Sequence, residues 1–313
     1  MIPRGPELWP DLTVRVPLPE LGPWRAGNTG TPGLWRFTAP TPGPHLLVTA
    51  LVHGNEIAGA ALLVRWLEAE LRPAQGTLSL CFCNLAAFDR FDAAAPTASR
   101  FVDEDMNRLW DPLLLAGPRR SVELDRARAL LPAVLAADAL LDLHSMLWPS
   151  DPLLLAGRGA ASLAAELGTP GTVVVDEGHA AGLRLIDHPH FDADRPAILL
   201  EAGQHWEPAT LAQTEDSAAR WLRRWGMPAP GAQPMKLPRG RIARVFQTVT
   251  ARTDGFAFLM PCRGGDVVGP RNSLLALDGE IEVRTPHADC LLVMPNPRAL
   301  RGHTAVRLAR FED

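Results

Sequence analysis

Residues 46–68, LLVTALVHGNEIAGAALLVRWLE, decide how the chain folds. Leu46 to Val52 is an uninterrupted apolar run, which suits a strand covered on both faces. It ends at His53. From Glu56, apolar residues at Leu62, Leu63, Trp66 and Leu67 alternate with Arg65, Glu68 and Glu70 at helical period, predicting a helix to about Arg72. Working outward, Thr77–Asn84 reads as a second strand, and residues 86–112 form an irregular polar stretch long enough to suggest a functional loop. Val122–Leu135 reads as a helix, and Asp138–Ser145 as a short buried strand whose end presents His144. Further strands are predicted at Leu153–Ala156, Thr172–Val175 and Ala197–Ala202, and a helix from Pro208 to about Trp225. Alternating strands and helices over some 200 residues predict an α/β fold, three layers around a mixed, mostly parallel sheet.

The Pro-rich stretch 227–235 reads as a linker, which divides the chain into an α/β catalytic domain (1–226) and a small all-β domain (236–313). In the second part, Arg244–Val249, Phe256–Met260, Ser273–Leu277 and Cys290–Val293 are short runs punctuated by Gly and Pro.

Hydrophobic residues make up 47% of the 313 and charged residues 21%, too apolar for disorder and too evenly charged for a membrane protein. A formal charge of -4 offers no global positive field for nucleic acid or anionic lipid. Lys236 is the only lysine and tyrosine is absent, so a Schiff base would have to use Lys236 and a phenolic acid is impossible. Cys81, Cys83, Cys262 and Cys290 are too scattered for a disulfide scaffold, and the N-terminus lacks an apolar leader, so a cytoplasmic location is expected. Oligomeric state is open, with a homo-oligomer compatible.

Two short motifs could carry chemistry. His53-Gly-Asn-Glu56 sits where a strand gives way to a helix, the position at which open α/β sheets bind ligands. By composition alone, roughly half a match to H-x-x-E is expected in such a chain, and a helix-start glutamate beside a loop histidine is the plain alternative. In Leu140-Leu-Asp-Leu-His144, period-two alternation puts Asp142 and His144 on one face, the arrangement in which a carboxylate fixes a ligating imidazole; a structural histidine is the plain alternative. Together, His53, Glu56 and His144 make a two-histidine, one-carboxylate set with a free fourth position, as in catalytic rather than structural zinc.

Between and beyond these lie Arg100-Phe-Val-Asp-Glu-Asp-Met-Asn107-Arg108 and a strand ending Glu201-Ala-Gly-Gln-His205. H-G-N-E, R-x-x-D-x-D-x-N-R, D-L-H and E-x-G-Q-H, in this order, resemble the succinylglutamate desuccinylase/aspartoacylase family of the zinc carboxypeptidase superfamily. The resemblance implies a zinc-carboxypeptidase-like fold and one Zn2+ per chain on His53, Glu56 and His144, with Glu201 as general base toward the attacking water. It implies further that Arg100 polarises the scissile carbonyl and that Asn107 and Arg108 grip a substrate carboxylate. Arginine suits both tasks, as a permanent cation and as a planar fork. The implied activity is deacylation of an N-acyl amino acid or similar small amide. A carboxypeptidase for small peptides and a non-catalytic carboxylate-binding module are the competing readings.

Asp142 is expected behind the metal, and His205 either there or in contact with substrate. A second substrate arginine has two candidates, Arg184 and Arg195. His188 and His190 could make a second metal site or a solvated loop, while His45, His179, His287 and His303 read as structural. Asp105 would orient an arginine. Trp110, Trp148 and Trp206, each close to a motif, predict either an aromatic rim or core packing. The stretch from Gly264 to Pro286 is similar to a biotinyl half-barrel but holds no lysine.

Overall fold

A computed structural model describes residues 11–176, 178, 181–228 and 236–312. The elements in chain order are β1 (Leu34–Thr38), β2 (His45–Ala50), α1 (Ile57–Glu68), β3 (Thr77–Phe82), α2 (Leu85–Phe88), α3 (Pro112–Ala116), α4 (Val122–Leu135), β4 (Ala139–Met146), β5 (Leu153–Ala156) and α5 (Ala161–Glu166). There follow β6 (Thr172–Val175), β7 (Ala197–Gln204), α6 (Pro208–Arg224), β8 (Arg241–Thr250), β9 (Phe256–Phe258), β10 (Val267–Val268), β11 (Leu274–Asp278), β12 (Ile281–Arg284), β13 (Cys290–Val293) and β14 (Thr304–Phe311).

The central strands are buried on both faces because their side chains alternate between two cores. Leu46 and Val48 of β2 join Leu141 and Leu143 of β4, Ile198 and Leu200 of β7, and the apolar faces of α1 and α6. Leu47, Leu140 and Leu199 point the other way, into a core closed by Leu124, Ala127 and Leu130 of α4. The sheet therefore lies between two helical layers, as expected. Capping fixes α4, where Ser121 Oγ accepts from Leu124 N, and the first turn holds Glu123 and Asp125 at the positive end of the macrodipole.

Helix α1 is shorter than its apolar pattern predicted. It stops at Glu68 because Glu70 adopts φ 50° and Leu71 N turns back to Trp66 O, burying Leu71. β1, α2, α3, α5, β10, β12 and β14 have no counterpart among the elements expected from sequence.

Among the described residues, eleven strands form one sheet in the order β1-β3-β2-β4-β7-β5-β6-β8-β14-β13-β10. β2 is parallel to both β3 and β4, and β4 to β7, while β5 runs antiparallel to β7. The chain leaves β2 toward β3 on one side and returns to β4 on the other, the topology that opens a crevice at the carboxyl ends of the strands. The C-terminal strands continue this sheet: Val173 pairs with Ile242 and Val174 with Ala243 in the parallel β6–β8 ladder. β9, β11 and β12 form a separate antiparallel sheet. Among the described residues, no helix is long and apolar enough to cross a membrane.

Candidate active site

The carboxyl ends of β2, β4 and β7 converge on the motif residues. Past β2, Leu51 is buried in the left-handed region at φ 58°, a strained turn that swings the chain out of the sheet before His53. Gly54 is required next, because a Cβ there would lie 2.5 Å from the backbone of Ala87 and 2.6 Å from Ser99 O. Glu56 is the N-cap residue of α1, yet its side chain makes no cap. It turns into the site instead, where Oε1 lies 2.7 Å from His53 Nδ1 and Oε2 2.9 Å from His144 Nδ1.

The three side chains are buried and could hold a metal ion, one donor atom from each lying within 4.8 Å of the others. Their surroundings fit a cation. His144 Nε2 lies 2.9 Å from Asp142 Oδ2, and Asp142 Oδ1 in turn accepts from Thr49 Oγ1 at 2.6 Å. His53 Nε2 lies 2.9 Å from Asp105 Oδ1. His144 thus has carboxylate oxygen at both nitrogens, whereas neutral imidazole carries a single N–H. That surplus of acceptors calls for positive charge between Glu56 and His144, either an extra proton or a metal. Electrostatics say the same. Burial alone would raise the Glu56 carboxyl, but His53 and His144 hold it well below its usual range. Burial alone would lower His144, but Asp142 and Glu56 lift it well above its ordinary value.

Glu201 is the register partner of His144 across the β4–β7 ladder. It is buried, and its Oε2 has no hydrogen-bond partner among the described residues. Burial first, and the charge of Glu56 second, push its carboxyl up to about 8. An unpaired buried carboxyl oxygen is costly unless something else engages it.

The remaining motif is delivered by the 86–112 loop, and a residue missed in the sequence organises it. Glu123, on the first turn of α4 and fully buried, accepts from Val102 N, Asp103 N, Glu104 N and Asn84 Nδ2. The loop so fixed lays Arg100 over the cluster, with Nη1 3.2 Å from Glu56 Oε1 and Nη2 2.9 Å from His53 Nε2. Asp105 bridges His53 to Arg100, which lies 3.4 Å away, so it does orient an arginine. Asn107 Oδ1 accepts from Leu185 N, which fixes the amide plane, and Arg108 Nη1 donates to Asn107 O at 2.6 Å. Gly182 passes so close to Arg108 O that a Cβ would lie 2.1 Å from it.

These groups line a cleft of about 640 Å³. One wall is apolar, with Met146, Leu147, Trp148, Leu155 and Met294. Besides Met294, the C-terminal region contributes Asn296, His303, Thr304 and Arg307 to the lining. His303 and Arg307 were not singled out as site residues from sequence.

Other expectations divide. His205 is buried, with Nδ1 2.7 Å from Ser145 Oγ, and stands behind the cleft rather than in its lining. Burial lowers its pKa to about 4, keeping the ring neutral. Arg184 reaches the cleft, but Asp176 and Asp187 occupy its guanidinium at 2.6 Å each. Arg195 is exposed and donates to His190 O, away from the cleft. His188 and His190 do not converge on a metal: His188 Nδ1 accepts from His190 N, and His190 Nε2 lies 2.8 Å from Ala137 O. Trp110 and Trp206 are core residues, while Trp148 lines the cleft. Cys81 and Cys83 are buried free thiols. His179 lies outside the described residues.

Comparison with known proteins places this geometry among relatives. The family model described as Succinylglutamate desuccinylase/Aspartoacylase catalytic domain matches residues 42–223. A curated relative, the N-acyl-aromatic-L-amino acid amidohydrolase (carboxylate-forming) of Xenopus laevis, is 29% identical over 192 residues, which span 56% of this chain and 59% of that protein. The chain thus matches less than two thirds of that relative's length. A succinylglutamate desuccinylase from Vibrio parahaemolyticus superposes with a TM-score of 0.66 at 15% identity, covering 90% of this chain and 87% of that one. The corresponding enzyme from Chromobacterium violaceum gives 0.66 at 19% identity, covering 90% and 89%. At these identities the structural likeness establishes the fold.

Proposed function

The chain belongs to the succinylglutamate desuccinylase/aspartoacylase family, and from that premise we propose that it is a zinc-dependent amidohydrolase acting on an N-acyl amino acid or a similar small carboxylate-bearing amide. The observation that carries this reading is the meeting of His53, Glu56 and His144 within 4.8 Å beside the unpartnered oxygen of Glu201.

His53 and His144, through their Nδ1 atoms, and Glu56 would hold one Zn2+ per chain. When bound, zinc supplies a Lewis acid for the scissile carbonyl and lowers the pKa of water from its bulk value to about 7. Glu201 is the general base: its free Oε2 takes a proton from the attacking water and later hands it to the leaving amine nitrogen. With no tyrosine in the chain, that second transfer falls to Glu201 or to water. A cation nearby draws the Glu201 carboxyl down from about 8 toward the ionised form the base requires.

Arg100, beside Glu56 and His53, sets a permanent cation where negative charge grows on the carbonyl oxygen. Asn107 spends its amide oxygen on Leu185 N and keeps its NH2 for substrate, and Arg108 forks onto the substrate carboxylate. Asp142 fixes the tautomer of His144, and His205 steadies Ser145, whose N–H donates to Glu56 Oε2 at 3.1 Å.

The partner is a small molecule, the location cytoplasmic, and the working unit 1–226 with 236–313 as its roof. The name of the Xenopus relative favours an aromatic amino acid as one substrate to try, and the apolar wall offers it a surface. The rival reading, a carboxypeptidase for small peptides, is disfavoured because residues of the C-terminal region close one side of a cleft of about 640 Å³. Assaying zinc-loaded protein on N-acetylated and N-succinylated amino acids beside dipeptides tests the proposal. Faster cleavage of an N-acyl amino acid supports it, and cleavage of dipeptides alone overturns it.

A further inference from the structure

Arg307 stands on β14, outside residues 42–223. It lies between Val306 and Leu308, both fully buried, with its side chain 11% exposed and facing the cleft. Its nearest carboxylate is Asp176, 3.4 Å from Nε, but without hydrogen-bond geometry, and Nε has no hydrogen-bond partner among the described residues. Asp176 is already engaged: Arg184 donates to its Oδ1 at 2.6 Å and to its Oδ2 at 3.2 Å, and Gly178 N also donates to Oδ1.

Arg108 is in a similar state. Its closest carboxylate oxygen, Asp105 Oδ2, is 4.0 Å away and also faces Arg100, while Oδ1 of the same carboxylate faces His53. Burial holds both Arg108 and Arg307 below the usual arginine value, and each feels the charge of Arg184. Among the described residues, Arg108, Arg184 and Arg307 stand against Asp176 and Asp187, with Asp105 committed to His53 and Arg100 and Glu201 acting on Arg307 through its charge alone. A buried guanidinium whose nearest carboxylate is already bonded to another arginine is incompletely neutralised, a deficit that an anion from solution would meet.

We infer that Arg307 is a substrate-binding residue contributed by the C-terminal strands, which together with Arg108 receives a carboxylate in the cleft. Arg184 holds Asp176 in place and serves as a positioning residue. Identifying that carboxylate as part of an N-acyl amino acid rests on the proposed function; the anion site itself does not.

The probes are succinate and its uncharged diamide, succinamide, titrated calorimetrically into the full-length protein without assay of turnover. Wild type is expected to bind succinate at least tenfold more tightly than succinamide. Arg307→Met is expected to lose about tenfold or more in succinate affinity with succinamide unchanged, and Arg307→Lys to recover part of it, since the charge survives and the fork does not. Unchanged succinate affinity in Arg307→Met, whatever its melting temperature, overturns the inference and leaves Arg307 as a structural partner of Asp176. If Arg307→Met fails to fold, Arg307→Lys decides: succinate affinity equal to wild type overturns the inference and a severalfold loss supports it. In the hydrolysis assay, the loss in kcat/KM of Arg307→Met should fall on KM. If succinate binding behaves as expected while no N-acyl amino acid is cleaved, the anion site stands and the proposed function falls.

Discussion

His144 and Glu201 are register partners on the adjacent parallel strands β4 and β7. Neighbouring strands lie about 4.8 Å apart, so the backbone ladder itself sets the distance between the proposed metal ligand and the proposed base. Constellations placed on strands are held more closely than those on loops. Glu56 meets them from the start of α1, and Arg100 from a loop tied by Glu123.

Glu201→Gln should retain metal and lose at least about a hundredfold in turnover, the usual scale for a missing general base. The side chain keeps its volume, so folding should be unaffected. Steady-state rates with metal analysis on the same sample check this, and wild-type turnover would remove Glu201 from the mechanism.

Asp142→Asn should weaken metal retention by about 10–100-fold, because the Asp142 carboxylate orients His144 from behind at 2.9 Å. His144→Ala should lose the metal outright. Competition with a chelator of known affinity reads both, and the assignment fails if the two variants hold metal as wild type does.

In metal-free protein Glu201 titrates at about 8 against an ordinary glutamate value of 4.5. The folded chain therefore keeps a proton that the unfolded chain has released between those values. The stability this group contributes is present below about pH 4.5 and is lost as pH rises toward 8. Urea unfolding of metal-free wild type should show stability falling more steeply from pH 5 to 8 than in Glu201→Gln. Parallel slopes would contradict the raised value.

Gly54→Ala should displace the turn carrying His53, since the new methyl would meet backbone atoms of Ala87, Phe88 and Ser99 within 2.6 Å and none of these can swing aside. Reduced metal content together with a lowered melting temperature is expected. A variant with wild-type metal affinity would show that the turn tolerates the shift.

The strand ends were legible because doubly buried strands are written as apolar runs, and His53, His144 and Glu201 each mark where such a run meets the crevice. Glu123 escaped notice because a glutamate in the first turn of a helix already has a sufficient explanation in the macrodipole; that it holds three loop N–H groups is a tertiary fact. Arg307 was hidden for a related reason. In β14 it looks like one of two arginines, Arg307 and Arg310, and nothing local tells which one faces a cleft. The continuation of the sheet from β6 into β8 was likewise illegible, because the change of composition after the Pro-rich stretch signals a new module while strand pairing ignores it.

The measurement closest to the central claim is zinc titration of dialysed wild-type protein beside Glu56→Gln and His144→Ala, with bound metal quantified at equilibrium. The account requires one zinc per wild-type chain and a loss of that site in both variants. A wild-type chain that takes up no zinc, or variants that bind it as wild type does, would contradict it.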